Sequence, residues 1–271
     1  SRGLGDVYKR QALVSDPWLN ARITTLHACS DLWACGANLS SAQVLISLPK
    51  VNDEFQDYLF SQSLKSIKFT IEELGGELLG GHTFETRNFA SKPLEFGMDI
   101  SLSVQGIIKN GKKPWNKNGL KSGDILLLSR PLGVGIIFAA QMQNINLFNS
   151  SNLLYRNLRT SQQILVDQIY QLQDDLGENI INAATDITGF GLIGHLKEMV
   201  KSSNLQRKND NLNEVKAVLN LMSFNTYPNV MELIRKGVKS TLFYGNKKIY
   251  DEILEKEFAQ REIIFDLEED L

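Results

Sequence analysis

Two stretches of strict period-two alternation, separated by one long amphipathic helix, constrain this chain more than any other feature. In Ser41–Leu48 the residues Ala42, Val44, Ile46 and Leu48 share a face, and Pro49 ends the run. Met98, Ile100, Leu102 and Val104 alternate in the same way with Asp99, Ser101, Ser103 and Gln105. Successive side chains of a strand point to opposite faces, so each stretch predicts a half-buried strand. Between them, Phe55–Leu74 carries helical periodicity and closes on Gly75-Gly76. Strands that are apolar on one face need a layer of helices to cover that face.

The remaining elements follow from caps and breakers. A helix is expected from Asp16 to Cys35, with Asp16 as N-cap, Pro17 at the first helical position and Gly36 as the stop. Leu19, Ile23, Leu26 and Trp33 form its apolar stripe, beside a polar stripe of Asn20, Thr24, His27 and Asp31. A short strand, Glu77–Leu79, is expected to run into a turn at Gly80-Gly81-His82-Thr83. Lys109–Gly123, with its Lys, Asn, Gly and Pro, reads as a linker between an N-terminal domain, 12–108, and a C-terminal domain, 124–271. In the second domain we expect a buried strand Asp124–Leu128, a turn through Gly133-Val134-Gly135 and a helix to about Gln141. A polar loop Asn144–Asn152 and a helix Ser161–Leu176 stopped by Gly177 come next. The helix after Gly191 carries Leu192, Leu196, Met199 and Val200 on one face and gives way to a polar loop, Asn204–Asn213. The last expected elements are a helix after Pro228, one near Ile249–Phe258 and a strand Ile263–Phe265. Strands and helices mingle without strict alternation and without a repeat. That predicts a two-domain α+β chain, with mixed or antiparallel sheets covered by helices.

Composition bounds the function. Hydrophobic residues are 42% and charged residues 22% of 271, which excludes a disordered chain, a collagen-like repeat and a disulfide scaffold. A net charge of −2 offers no basic excess for nucleic acid or an anionic membrane. No window reaches the ~18 uninterrupted apolar residues of a membrane span. Two cysteines and no signal-peptide pattern point to a reducing, cytoplasmic setting. Ser1–Gln11 resembles a translated adapter tail and is set aside. With no initial Met and no closing element at Glu268-Glu269-Asp270-Leu271, the chain is expected to be a fragment cut at both ends.

Four groups of residues can carry chemistry. Asp186 is expected where a short apolar strand ends, ahead of a Gly-rich turn into a helix. A helix N-terminus attracts phosphate, and a carboxylate beside it can hold the Mg²⁺ that bridges phosphate oxygens. On spacing alone, capping through Thr188 or Gly189 is the plainer role, although a cap needs neither the second Gly nor the Phe between them. Asp31 follows His27 by one turn in small or apolar surroundings, where an acid is usually paired, bonded or metal-bound. Zinc is disfavoured there, because no third ligand is near, and small buried packing is the expected role of Cys29 and Cys35. Gly80-Gly81-His82-Thr83 lets backbone approach a phosphate or ribose, or simply makes a tight turn. Gly133-Val134-Gly135 lacks the third glycine of a dinucleotide fingerprint and the Lys of a P-loop.

In order, these motifs resemble a known family. They are His27-Ala-Cys-Ser-Asp-Leu-Trp-Ala-Cys-Gly36, Gly80-Gly-His-Thr83, Gly123-Asp124 ahead of Arg130-Pro-Leu-Gly133, and Thr185-Asp-Ile-Thr-Gly-Phe-Gly-Leu-Ile-Gly-His-Leu196. The family is selenide, water dikinase (selenophosphate synthetase), in the superfamily of aminoimidazole ribonucleotide synthetase, and the resemblance covers about Ala12 to Tyr244. It implies that ATP, selenide and water give selenophosphate, AMP and phosphate, with the ATP phosphates clamped by Mg²⁺. It assigns ATP contacts to Asp31 and to Gly80, Gly81 and His82, the last three reaching ATP from the dimer neighbour, and Mg²⁺ to Asp31 and Asp186. It also implies a homodimer. The family's catalytic Cys or selenocysteine and its Lys match nothing here, so the chain alone is expected to make no selenophosphate. Trp33-Ala-Cys-Gly-Ala37 with Ser41-Ala-Gln43 resembles versions fused behind a flavin-dependent oxidoreductase. Rivals are the purine-synthesis ligase, thiamine-phosphate kinase, a hydrogenase-maturation protein and a non-catalytic nucleotide-binding or dimerisation module.

Overall fold

Asp16 accepts a hydrogen bond from the Leu19 N–H at 2.7 Å, and Pro17 opens α1 (Pro17–Ala28) as its cap dictates. The computed structural model describes residues 14–85, 98–145, 148–256 and 263–266, so Ser1–Gln11, the expected adapter tail, lies outside the described residues. They form two units, Ser1–Pro114 with Leu158–Gly177, and Trp115–Asn157 with Glu178–Leu271.

In the first unit the helix expected over Asp16–Cys35 is broken at Cys29 into α1 and α2 (Ser30–Ala34). The Ser30 hydroxyl donates to the His27 carbonyl at 2.8 Å, a local bond that competes with continuous helix. Strand β1 (Ala37–Leu48) follows, and its Ala42, Val44, Ile46 and Leu48 are buried as the alternation predicts. Asn52 caps α3 (Asp53–Glu73), whose small buried Ser63, Ser66 and Thr70 let α1 approach closely. The Ser66 hydroxyl donates to the Trp18 carbonyl at 2.7 Å, and Arg22 pairs with Glu73 at 2.6 Å.

The next strand overturns an expectation. Gly80-Gly81-His82-Thr83 is not a turn; β2 runs straight through it, from Glu77 to Glu85, parallel to β1. The register shifts beside Gly80, whose φ of +151° only glycine adopts easily. At Gly81 a Cβ would lie 2.1 Å from the Val44 carbonyl oxygen, so close strand packing alone explains that glycine. Strand β3 (Asp99–Ile108) pairs antiparallel on the other side, giving a mixed sheet of order β2-β1-β3. α1 and α3 pack on the buried face, while Leu45 and Phe84 are exposed.

Beyond Pro114 the chain enters the second unit and forms α4 (Val134–Met142) and α5 (Phe148–Leu158). It then returns to the first unit as α6 (Gln163–Leu176), which ends at Gly177 with φ +69° as expected. Gln163 donates to the Leu74 carbonyl and accepts from the Leu39 N–H, and the Tyr170 hydroxyl donates to the Gly36 carbonyl at 2.7 Å. These bonds, which no local pattern announces, place α6 against the start of β1.

The second unit departs further from sequence expectation. Asp124–Leu128 is not a buried strand: among the described residues it joins no ladder, and Ile125 and Leu127 are 84% and 87% exposed. Asn144–Asn152 is not simply a loop, because α5 begins at Phe148. The buried Ser150 hydroxyl bonds the Pro228 carbonyl and the Asn229 side chain, with Leu154 buried one turn on. α7 (Gly191–Asn209) likewise continues through most of the expected polar loop Asn204–Asn213. The Asn204 amide bonds both backbone groups of Val215, and Ser203 is buried. Strand β4 (Ala217–Asn220) leads to a short 3₁₀ turn, Leu221–Ser223, and then α8 (Val230–Arg235). α9 (Phe243–Glu255) starts earlier than predicted, and β5 (Ile263–Asp266) pairs parallel with β4. Leu196, Val200, Leu219, Ile253 and Ile263 make one core cluster, and Ala139, Ala140, Leu233 and Val238 another.

Candidate functional site

In the second unit, residues 183–188 carry no regular structure, so Asp186 does not end a strand as expected. It stands half-buried ahead of α7, whose N-cap, Phe190, supplies no side-chain cap. Backbone groups without a ladder must find other partners. The Ala184 N–H donates to the Asn116 carbonyl at 3.0 Å, and the Gly191 N–H to the Thr188 carbonyl at 2.9 Å. The Thr188 N–H donates to His195 Nε2 at 3.2 Å, and Asn246 Nδ2 donates to the Gly189 carbonyl at 3.1 Å.

His195 is 7% exposed, and an Nε2 that accepts a hydrogen bond leaves its proton on Nδ1, so the neutral ring is assigned here. Burial pulls its pKa below the ordinary histidine value; the Asp186 and Glu198 carboxylates push the other way and Lys117 adds to the lowering. Sequence reasoning named His195 only within its motif and missed Asn246 entirely. Asn246 lies 57 residues from Gly189 and carries no motif signal.

In the first unit, Asp31 occupies the first turn of the short helix α2 and is exposed, not buried as its neighbours suggested. α2 reaches the sheet through Leu32, which touches Gly106, the partner of Leu39 on β1. His82 on β2 pairs instead with Leu45. Six residues of strand separate those contacts, about 20 Å, so Asp31 and His82 lie toward different ends of β1. His82 borders a concavity of about 530 Å³ with Gln43, Leu45, Ser101 and Ser103, on the sheet face away from the helices.

The other candidates resolve plainly. Cys29 is buried, as expected, and burial pushes its thiol up to about 12, which makes it a poor nucleophile. Cys35 is exposed, contrary to expectation, and neither is in a disulfide. Gly133, at φ +111°, opens α4 with its Cα against Val230, where a Cβ would meet a methyl at 2.5 Å. That makes it a packing turn. Among the described residues no helix is long and apolar enough to cross a membrane. Among them, too, no three His, Cys, Asp or Glu side chains converge on one point, so no all-protein metal cage is built. A Mg²⁺ held by one carboxylate and nucleotide phosphates needs no such cage, and the donor at Asp186 suits that hard cation.

Comparison with known proteins agrees with this architecture. The chain is 32% identical over 218 residues to a selenide, water dikinase of Nitratidesulfovibrio vulgaris (strain DP4), covering 80% of this chain and 57% of the relative. A thiamine-monophosphate kinase from Stenotrophomonas maltophilia K279a superposes with a TM-score of 0.64 at 16% identity, covering 97% of this chain and 82% of the other. The hydrogenase maturation protein HypE, solved in complex with ATP, superposes with a TM-score of 0.60 at 17% identity, covering 82% and 58%. At such identities the structural likeness speaks to the fold. Residues 5–108 match the N-terminal domain, and residues 121–243 the C-terminal domain, of AIR synthase related protein, and the chain belongs to that family.

Proposed function

We propose that the chain is the nucleotide-binding core of a selenide, water dikinase, which forms selenophosphate, AMP and phosphate from ATP, selenide and water. The observation that carries the reading is the half-buried Asp186 ahead of a helix N-terminus whose N-cap residue, Phe190, offers no side-chain cap. Such an end favours phosphate, while a carboxylate beside phosphate demands a bridging cation. The substrate follows from the name of the 32% identical relative.

In this reading Asp186 and Asp31 hold Mg²⁺, Asp31 contacts ATP, and Gly80, Gly81 and His82 contact the ATP of a second copy across a dimer, which suits their place toward the other end of β1 from Asp31. Mg²⁺ supplies charge neutralisation for the phosphates, and the carboxylates fix where that charge stands. Phosphoryl transfer asks a protein for alignment and electrostatics more than for covalent help. A second copy would cover the exposed apolar residues Leu45, Leu79 and Phe84 of the first unit's sheet, giving a homodimer in a reducing cytoplasm. The Trp33–Ala37 motif extends the proposal to a longer protein with a flavin-dependent oxidoreductase domain.

The test is anaerobic incubation of the full-length protein with Mg·ATP and either selenide or thiamine monophosphate, read by phosphorus NMR. Selenide-dependent AMP and selenophosphate support the reading. Phosphorylation of thiamine monophosphate with no response to selenide would replace it with the kinase reading.

A further inference from the structure

The segment carrying Asp186 has no ladder to hold it, yet its turn is gripped from two helices. His195 follows Gly191, the start of α7, by four residues, and helical side chains lean back toward the N-terminus. Its imidazole therefore reaches over the preceding turn, where Nε2 lies 3.2 Å from the Thr188 N–H and 3.2 Å from the Thr188 hydroxyl. From the other side, α9 and its N-cap residue present Leu242, Asn246 and Ile249 on one stripe. A Cβ on Gly189 would lie 2.5 Å from Leu242 Cδ1, and one on Gly194 would lie 3.5 Å from Ile249 Cδ1. Asn246 Nδ2 meets the Gly189 carbonyl and lies 3.4 Å from where a Cβ on Gly191 would stand. One turn further along the same stripe, Ile253 is buried in the core with Leu196 and Val200 of α7. The apolar core thus sets where α9 lies, and the amide of Asn246 arrives at the turn already oriented.

We propose that His195 and Asn246 are positioning residues that clamp the Thr188 N–H and the Gly189 carbonyl, and so fix the Asp186 carboxylate ahead of α7. The proposal rests on the reading that Asp186 holds a metal with nucleotide phosphate. Neither residue touches the ligand in this account. Each acts through the backbone of the turn, and positioning of a charged group to a fraction of an ångström is what such outer partners supply.

The experiment uses the whole 271-residue chain and Mn²⁺ with a non-hydrolysable ATP analogue, titrated by electron paramagnetic resonance well below the melting temperature. The variants are Asp186→Asn, His195→Ala, His195→Gln and Asn246→Ala, and amide exchange at Thr188 is followed by NMR. We expect Asp186→Asn to lose metal binding, and His195→Ala and Asn246→Ala to weaken it about tenfold. His195→Gln should recover to within about threefold of wild type, because the Gln carbonyl oxygen can accept from the Thr188 N–H where Nε2 did. A purely structural role would lower the melting temperature without changing the metal affinity of the folded protein. If Asp186→Asn loses the metal while both alanine variants bind like wild type, the clamp is refuted and the metal reading stands. If wild type binds no metal, or Asp186→Asn binds as well, the metal reading fails. In that case unchanged Thr188 exchange in His195→Ala refutes the clamp too, and accelerated exchange upholds it.

Discussion

Replacing Gly81 by alanine separates a sheet role from a ligand role at the Gly80-Gly81 pair. The new Cβ would lie 2.1 Å from the Val44 carbonyl oxygen and 2.9 Å from Val44 Cγ1, whereas ordinary contact begins at 3.4 Å. Val44 is the cross-strand partner of Gly81, and the atom in the way is backbone, so no rotamer change relieves the clash. β2 must retreat from β1 by more than an ångström. Overpacking of that kind costs about 1–3 kcal/mol. The loss of one or two neighbouring ladder bonds adds about 1 kcal/mol each. A total of about 3 kcal/mol lowers the melting temperature by roughly 6–12 °C in a chain of this size. Gly80→Ala meets nothing within 4 Å and suffers only from the φ of +151°, a strain of about 1–2 kcal/mol. Thermal unfolding followed by circular dichroism without nucleotide therefore ranks Gly81→Ala below Gly80→Ala, and both below wild type. A Gly81→Ala protein that melts within about 2 °C of wild type, or above Gly80→Ala, would refute the close approach of the two strands.

Asp186→Asn is expected to keep its melting temperature without nucleotide, since Asn caps a turn about as well as Asp, and to lose the stabilisation that Mg·ATP adds to wild type; a shift on adding Mg·ATP as large as the native one would contradict the metal role. Iodoacetamide at pH 8 should label Cys35 alone in the native chain, because burial raises the Cys29 thiol to about 12; peptide mass spectrometry showing both labelled would contradict that burial. Because the folded His195 has a lowered pKa, the unfolded chain binds that proton first. Its contribution to stability is complete above about pH 6.5 and is lost as pH falls, and His195→Gln should flatten that part of a urea-unfolding profile between pH 7 and 5. Tyr170→Phe leaves the Gly36 carbonyl without its 2.7 Å partner and should cost about 1–2 kcal/mol in the same assay, whereas a neutral result would refute the contribution of that bond.

What the sequence by itself determined was whatever near neighbours decide. The alternation at Ala42–Leu48 specified a strand and its buried face, Asp16 and Pro17 a helix start, and Gly177 a helix stop. It also supplied the carboxylate and glycines of the Asp186 turn. Tertiary structure decided the cases in which a local pattern has two outcomes. Paired glycines usually turn a chain, but at Gly81 they admit the backbone of Val44, a partner far away in sequence. The polar stretches at 149–152 and 204–209 read as loops, yet they are helical because Ser150 and Asn204 find partners at Asn229 and Val215. The apolar run at 124–128 reads as a strand, but a strand exists only in a ladder, and none of the described residues pairs with it. The Asp186 turn follows the same rule. Its residues are contiguous and legible, while its grip comes in part from Asn246, across 57 residues, because hydrogen-bond partners are matched in space and periodicity only along the chain.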